Sequence, residues 1–351
     1  MLRNTRNDCY VKALQNNQTR RMEMFRSLFS AVVFGTALAA TAASAEIELK
    51  FATDSGDRES PSGIALAAWA NAVKEGSNGE IDVKIFYQNE LGGQLEVFDL
   101  FVAGEVDAMI SWPSTSYDKR IGILNAPYMV TSWEEALEAY KPGGWANGVL
   151  NTVFNDIGLK YFGAWPEGFS GVATRGAYAT DVTGAANIKV RTPPLFPFPQ
   201  ILEAMGYQTA AIDWGEVYTS IQTGVVDGDA GNVIYWDYEY FRDVLDYYVR
   251  TKHTFVTGNL LVNLETYEGL SDDHKKLIED AAVAVMEERF KAARDEDQHY
   301  VDLAVQSGME YFELTDEQLA PIAEKVRAEV WPQMEPDVGK DIMDLIRAQV
   351  K

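Results

Sequence analysis

The chain has 351 residues, 47% of them hydrophobic and 24% charged, which is enough for two domains with cores of their own. Its formal net charge of −23 excludes nucleic acid as a partner, because phosphate binding needs a basic face. The single cysteine, Cys9, lies ahead of a segment expected to be removed, so the mature chain is expected to hold no disulfide, thiolate nucleophile or cysteine metal site.

Residues 25–45 read FRSLFSAVVFGTALAATAASA, with Arg20, Arg21 and Arg26 near the start and Ala43-Ser44-Ala45 at the end. That is the pattern of a secretory signal peptide, with cleavage expected after Ala45. Residues 1–21 read as an over-extended start, with Met22 or Met24 as the initiator. Removing residues 1–45 takes away six basic and two acidic residues and leaves a net charge of −27. No later segment has the roughly 18 uninterrupted apolar residues that a membrane span needs. The mature protein is therefore expected in the periplasm, without a membrane span.

Residues 46–53 alternate and predict a strand, and Pro61 opens a helix with Ala65, Leu66, Trp69 and Val73 on one face. Ile81, Val83 and Ile85 alternate with Asp82 and Lys84 in a second strand. Gly92-Gly93 leads into a helix carrying Val97, Phe98, Phe101 and Val102, and 107–112 is a third strand. Strand–helix repetition of this kind predicts an open α/β sheet with right-handed crossovers. Ligands bind such sheets beyond the carboxyl ends of the strands. Residues 54–59 and 112–117 are two such ends. Ser132 and Glu135 form a capping box for a helix through Tyr140, and 159–165 is another strand.

Short strands at 171–174 and 188–191 start a second α/β unit, whose helix at 200–205 stops at Gly206. Asp213 and Glu216 cap the next helix, Val225 to Asp227 is a strand end, and 237–249 is expected to be helical. A short strand covers 260–262. Ser271 caps a helix to about Gln306, and about 35 residues would span roughly 50 Å, long enough to brace two lobes. Thr315 and Gln318 cap a further helix that Pro332 is expected to end, and 337–351 is a short terminal helix.

The segment 188–232 carries the chemistry. Arg191 ends an apolar run, and its planar fork can hold a carboxylate through two parallel hydrogen bonds. The plainer reading is a surface salt bridge. Arg175 ends the preceding strand and could share the same anion, or it could lie on a lobe surface. Trp112, Trp165, Phe169 and Phe196 fall at strand ends or turns and are candidate cleft walls. Trp214 and Tyr235 are further aromatic candidates, with packing as the alternative for each. Glu167 precedes Gly168 and could serve a hinge, a ligand hydroxyl or only a solvated turn. Among catalytic signatures there is no HExxH, no G-x-S-x-G elbow and no P-loop.

Four segments together resemble the substrate-binding proteins of tripartite ATP-independent periplasmic (TRAP) transporters, the DctP-like family. They are 88–107 (QNELGGQLEVFDLFVAGEVD), 125–139 (NAPYMVTSWEEALEA), 187–193 (NIKVRTP) and 214–228 (WGEVYTSIQTGVVDG). The resemblance implies a two-lobed periplasmic solute-binding α/β fold with a cleft between the lobes and a long helix bracing both. It implies that Arg191, in KVRTP, pairs with a ligand carboxylate, and that Asn232, after the VVDG turn, touches the ligand. Many members have Glu-Trp after that turn and some of those bind a metal-chelated acid; Asp229-Ala230 here argues against a metal.

Lobe I is expected from residues 46–166 with about 258–295, lobe II from about 167–257, and 296–351 as helices packing across both. The expected function is an extracytoplasmic receptor that binds an organic acid and delivers it to the membrane permease subunits of a TRAP transporter. It is expected as a monomer without a cofactor or catalytic residues. The alternatives are a periplasmic sensor for a signalling receptor, which would share the cleft, and a secreted lyase or hydrolase. The last needs a nucleophile or a tuned acid–base pair that no motif supplies.

Overall fold

The computed structural model describes residues 47–350 other than Ser114 and Ser116. The signal peptide, Cys9 and the alternative start sites fall outside these residues. In chain order the strands are β1 (Ile47–Thr53), β2 (Ile81–Phe86), β3 (Ala108–Ser111), β4 (Leu159–Phe169), β5 (Val172–Thr174) and β6 (Lys189–Thr192). There follow β7 (Gln208–Ala211), β8 (Gly228–Ala230), β9 (Tyr247–Arg250), β10 (Phe255–Asn263) and β11 (Glu310–Glu313). They form two sheets, ordered β2-β1-β3-β10-β4 and β11-β9-β5-β8-β6-β7.

Helices α1 (Pro61–Gly76), α2 (Gln94–Val102), α3 (Trp133–Tyr140) and α4 (Trp145–Asp156) serve the first sheet, and α5 (Phe198–Ala204), α6 (Val217–Gln222) and α7 (Ile234–Phe241) the second. The chain ends with α8 (Leu264–Gly269), α9 (Asp272–Ser307), α10 (Asp316–Val338) and α11 (Lys340–Gln349). Local chemistry starts the main helices. The Ser60 hydroxyl accepts from Gly63 N ahead of Pro61, and Ser271 and Thr315 cap α9 and α10 in the same way. Leu66, Trp69, Ala70 and Val73 on α1 are buried, and Trp69 Nε1 donates to Ile278 O of α9 at 3.1 Å.

Strand directions place the functional end of both sheets. In the first sheet β1, β2 and β3 are parallel, and β10 runs antiparallel to both β3 and β4. The carboxyl ends of β1 to β4 therefore all point one way. In the second sheet β5 is antiparallel to β8 and β9, while β6 is parallel to β7 and β8. The chain leaves β4 at Phe169 and enters β5 at Val172; it returns from β9 at Arg250 to β10 at Phe255. The carboxyl ends of β6, β7, β8 and β9 consequently face those of β1 to β4, with two crossing segments between them.

Those segments are tied to each other. Ser170 N donates to Thr254 O at 3.0 Å, and Ser170 Oγ donates to the same oxygen at 3.1 Å while accepting from Thr254 N and Oγ1 at 2.9 Å. Gly171 is a glycine for space: a Cβ there would lie only 2.2 Å from Tyr248 Cζ. The 36 residues of α9 also run past both sheets. Arg289 Nε donates to Pro166 O beside the first, and Asp297 pairs with Arg250 at 2.7 Å beside the second. On α10, Trp331 Nε1 donates to Pro127 O and Lys325 Nζ to Ala204 O, so this helix also touches both sides.

Several elements differ from the sequence expectation. Residues 237–249 are not one helix: α7 ends at Phe241 and β9 follows, held by pairing with both β5 and β11. Pro332 does not end α10, which continues through Pro336 to Val338 because Trp331, Met334 and Val338 are buried on one side. The expected strand at 225–227 lies just ahead of β8, and β4 and β10 are longer than expected because they pair along most of their length.

Candidate functional site

Arg191 lies near the carboxyl end of β6 and is 3% exposed. Its Nε donates to Ile212 O at 2.8 Å, just past β7, and its Nη1 to Asp229 Oδ1 on β8 at 3.1 Å. Nη2 makes no hydrogen bond among the described residues. The guanidinium carbon is 5.7 Å from the ring centroid of Trp214, which is 39% exposed and covers it from the gap. Arg191 is thus neither a surface ion pair nor a free arginine: neighbouring strands orient it and leave one edge available.

Behind it stands an acidic pair that the sequence did not announce. Asp229 is wholly buried and its Oδ2 accepts from Asn232 Nδ2. Asp237, on α7, is equally buried, and neither of its oxygens meets a donor among the other described side chains. Burial, then the neighbouring Asp229 charge, pushes Asp237 well above the usual carboxylate range, and burial raises Asp229 against the pull of Arg191. Two buried carboxylates beside one guanidinium disfavour each other's ionisation, and the pair lies above the usual carboxylate range.

Across the gap, Asp54 follows β1. Trp112 N donates to its carboxylate oxygens at 3.3 and 3.2 Å, and Gln94 Nε2 and Ser111 Oγ reach it at 3.4 Å. Burial outweighs these donors and pushes Asp54 up to about 7. Sequence reasoning missed it as a site residue, although its place at a strand's carboxyl end was the available signal. Trp112 is half-buried beside it.

Glu167 stands at an irregularity in the β4–β10 pairing. Trp236 Nε1 donates to its Oε2 at 3.4 Å, and Trp236 lies 6.1 Å from Trp214, so two tryptophans connect Glu167 to Arg191. Burial raises the Glu167 pKa, with Arg289 opposing. Tyr235 is half-buried against Trp236 and Tyr300. Asn232 is held close to the crossing segments, its carbonyl accepting from Gly171 N at 3.0 Å. Phe196 is exposed on the turn before α5.

Three candidates lie elsewhere. Arg175 is at the far end of β5, because that strand runs away from the gap; its Nη1 donates to Gln222 O at 3.3 Å and it does not meet Arg191. Phe169 is buried between Trp133 and Phe255, with centroids at 5.5 and 5.0 Å, and is core, not an exposed wall. Trp165 is buried under the Arg289 guanidinium at 5.1 Å, so it supports the Glu167 region from beneath. A separate recess of about 650 Å³ is lined by Trp133, Arg250, Lys252, Asp297 and Tyr311. Among the described residues no group of His, Cys, Asp and Glu could hold a metal, and no helix is long and apolar enough to cross a membrane.

Two α/β sheets that turn their carboxyl ends towards one another, with two crossing strands and a shared helix between, define a two-lobed solute-binding protein. The comparisons with known proteins agree. Residues 52–337 match the model of the bacterial extracellular solute-binding protein family 7, DctP, and the chain belongs to that family of TRAP solute-binding proteins. It is similar to the ectoine-binding periplasmic protein TeaA of Halomonas elongata, 24% identical over 282 residues covering 78% of this chain and 82% of that one. It is also similar to the C4-dicarboxylate-binding periplasmic protein DctP of Rhodobacter capsulatus, 23% identical over 94% of this chain and 98% of the relative. Among solved structures, a TRAP periplasmic solute binding protein from Ochrobactrum anthropi, with its C-terminus bound in the ligand-binding pocket, matches with a TM-score of 0.79. The two are 25% identical over 87% of this chain and 95% of the other.

Proposed function

We propose that this protein is a periplasmic receptor that binds an organic acid in the gap between its lobes, pairs the ligand carboxylate with Arg191 and delivers it to a TRAP permease. The observation that carries the reading is the buried Arg191, fixed by Ile212 O and Asp229 with Nη2 left without a partner, at the meeting of the two sheets' carboxyl ends. A guanidinium held this way is already organised for a carboxylate, and little side-chain entropy remains to be lost on binding. Asn232, Trp112, Trp214 and Asp54 are proposed to complete the site. The names of the relatives support an organic-acid class and point to different members of it, ectoine in one case and C4-dicarboxylates in another.

Binding would bridge the lobes and expel water, strengthening the Arg191 ion pair in the lower dielectric. The crossing segments at 170–171 and 251–254 would be the hinge. The test is a thermal-shift screen of organic acids followed by calorimetry on Arg191→Lys. Lysine keeps a countercharge for Asp229 but loses the planar fork. A true ligand at 100 times its Kd adds about 2.7 kcal/mol to stability, and Arg191→Lys should bind it far more weakly. X-ray scattering should show compaction with ligand. A broad panel of acids without a shift, or Arg191→Lys binding like the wild type, overturns the assignment.

A further inference from the structure

The charges around Arg191 do not suit a plain anion. Its positive charge is already matched within the protein, by a wholly buried Asp229 at 3.1 Å. Arg289 and Arg250, the other buried arginines on this side, are matched by Glu296 at 2.8 Å and by Asp297 at 2.7 Å. Arg58, on the loop after β1, is exposed and lies over the Tyr87 ring at 4.8 Å. What remains around the gap is acidic: Glu167 beneath Trp236, and Asp54 at the end of β1. A simple carboxylate on Nη2 would add negative charge to a gap whose buried guanidiniums are each already matched by a carboxylate.

We infer that the ligand is a net-neutral zwitterion whose carboxylate takes the free Nη2 edge of Arg191 and whose cationic group rests on the wall formed by Trp214, Trp236 and Glu167. This deepens the carboxylate reading above and rests on it. The wall is continuous with the clamp. Trp214 lies over Arg191 at 5.7 Å, Trp236 lies 6.1 Å from Trp214, and Trp236 Nε1 is 3.4 Å from Glu167 Oε2. Indole faces attract a cation through the ring quadrupole. Glu167 adds a full charge, and a cation beside it stabilises the ionised form that burial alone disfavours. A dicarboxylate of the same length would set its second charge against Glu167.

Calorimetry with four matched panels tests this: zwitterions such as betaines, monocarboxylates of the same shape lacking the ammonium, dicarboxylates, and quaternary ammonium alcohols lacking the carboxylate. A zwitterion is expected to bind, with its ammonium-free analogue about 30-fold weaker, as loss of a desolvated cation–π contact implies. Glu167→Gln is expected to weaken the zwitterion more than the monocarboxylate, and Asp229→Asn to shift preference towards the monocarboxylate. A merely structural role would weaken both ligands alike, and circular dichroism confirms that each variant folds. Monocarboxylates or dicarboxylates binding at least as tightly as zwitterions overturn this inference and leave the carboxylate reading standing. Binding by the ammonium alcohols alone overturns the carboxylate reading itself, and no binding from any panel overturns both.

Discussion

Replacing Arg191 with methionine would separate its structural role from its role in binding. Methionine fills a similar volume without the charge. Asp229 is then buried without its cation, and Ile212 O loses its Nε donor. Breaking a buried pair from one side costs about 3–5 kcal/mol. The orphaned carbonyl adds about 1 kcal/mol. A loss of about 4–6 kcal/mol is a large share of a stability that is typically 5–15. The loss depends on pH. Without Arg191 the folded-state pKa of Asp229 moves further above its unfolded value, so the folded protein keeps a proton that the unfolded chain releases. The penalty is therefore absent below the unfolded carboxylate pKa of about 4 and grows as pH rises through the folded value. Urea unfolding at pH 4.5 and pH 8 should show a small loss at the first and the full loss at the second. The double variant Arg191→Met with Asp229→Asn should recover most of it, because the buried charge is gone. A loss below about 1 kcal/mol at pH 8, or additive effects in the double variant, would refute the account.

Other perturbations test the surrounding structure. Asp54, raised from 3.8 to about 7, makes the wild type lose stability as pH rises from 4 to 7. Asp54→Asn should flatten that limb by about 3 kcal/mol, read from unfolding at pH 5 and 8; an unchanged slope counts against its burial. His253 is wholly buried with its pKa pushed down to about 3, so its contribution is present above 6.5 and is lost as pH falls from there towards 3. His253→Asn should move the acid-unfolding midpoint to lower pH. Gly171→Ala should destabilise by about 1–3 kcal/mol through overpacking against Tyr248, and a neutral result would mean that the crossing segment moves freely.

The sequence made the first sheet readable because β1, α1, β2, α2 and β3 each carry an unbroken period and clear glycine or proline boundaries. It hid β9 and β11 because both are short and polar at their ends, and only pairing with β5 and with each other makes them strands. Pro332 reads as a stop in isolation; buried neighbours on α10 override it. Arg191 was legible because it sits in a short patterned strand before two prolines. Asp229, Asp237 and Asp54 were not, since a carboxylate in a chain with 53 acidic residues shows nothing of its burial. Arg175 was misplaced because the direction of β5 is set by the crossover, which leaves no mark on the local sequence.

The four hydrogen bonds between Ser170 and Thr254 have a consequence for how the chain folds. They join residues 84 apart, while Asn259 reaches Ser111 across 148 and Trp331 reaches Pro127 across 204. The first sheet cannot be completed by its own opening strands, since β10, which lies between β3 and β4, comes after every strand of the second sheet but β11. Contacts this distant must close long loops before they contribute, which makes folding slow. A nascent chain stays incomplete until nearly all of it is synthesised, and an incompletely folded chain is the form in which a polypeptide can be threaded across a membrane.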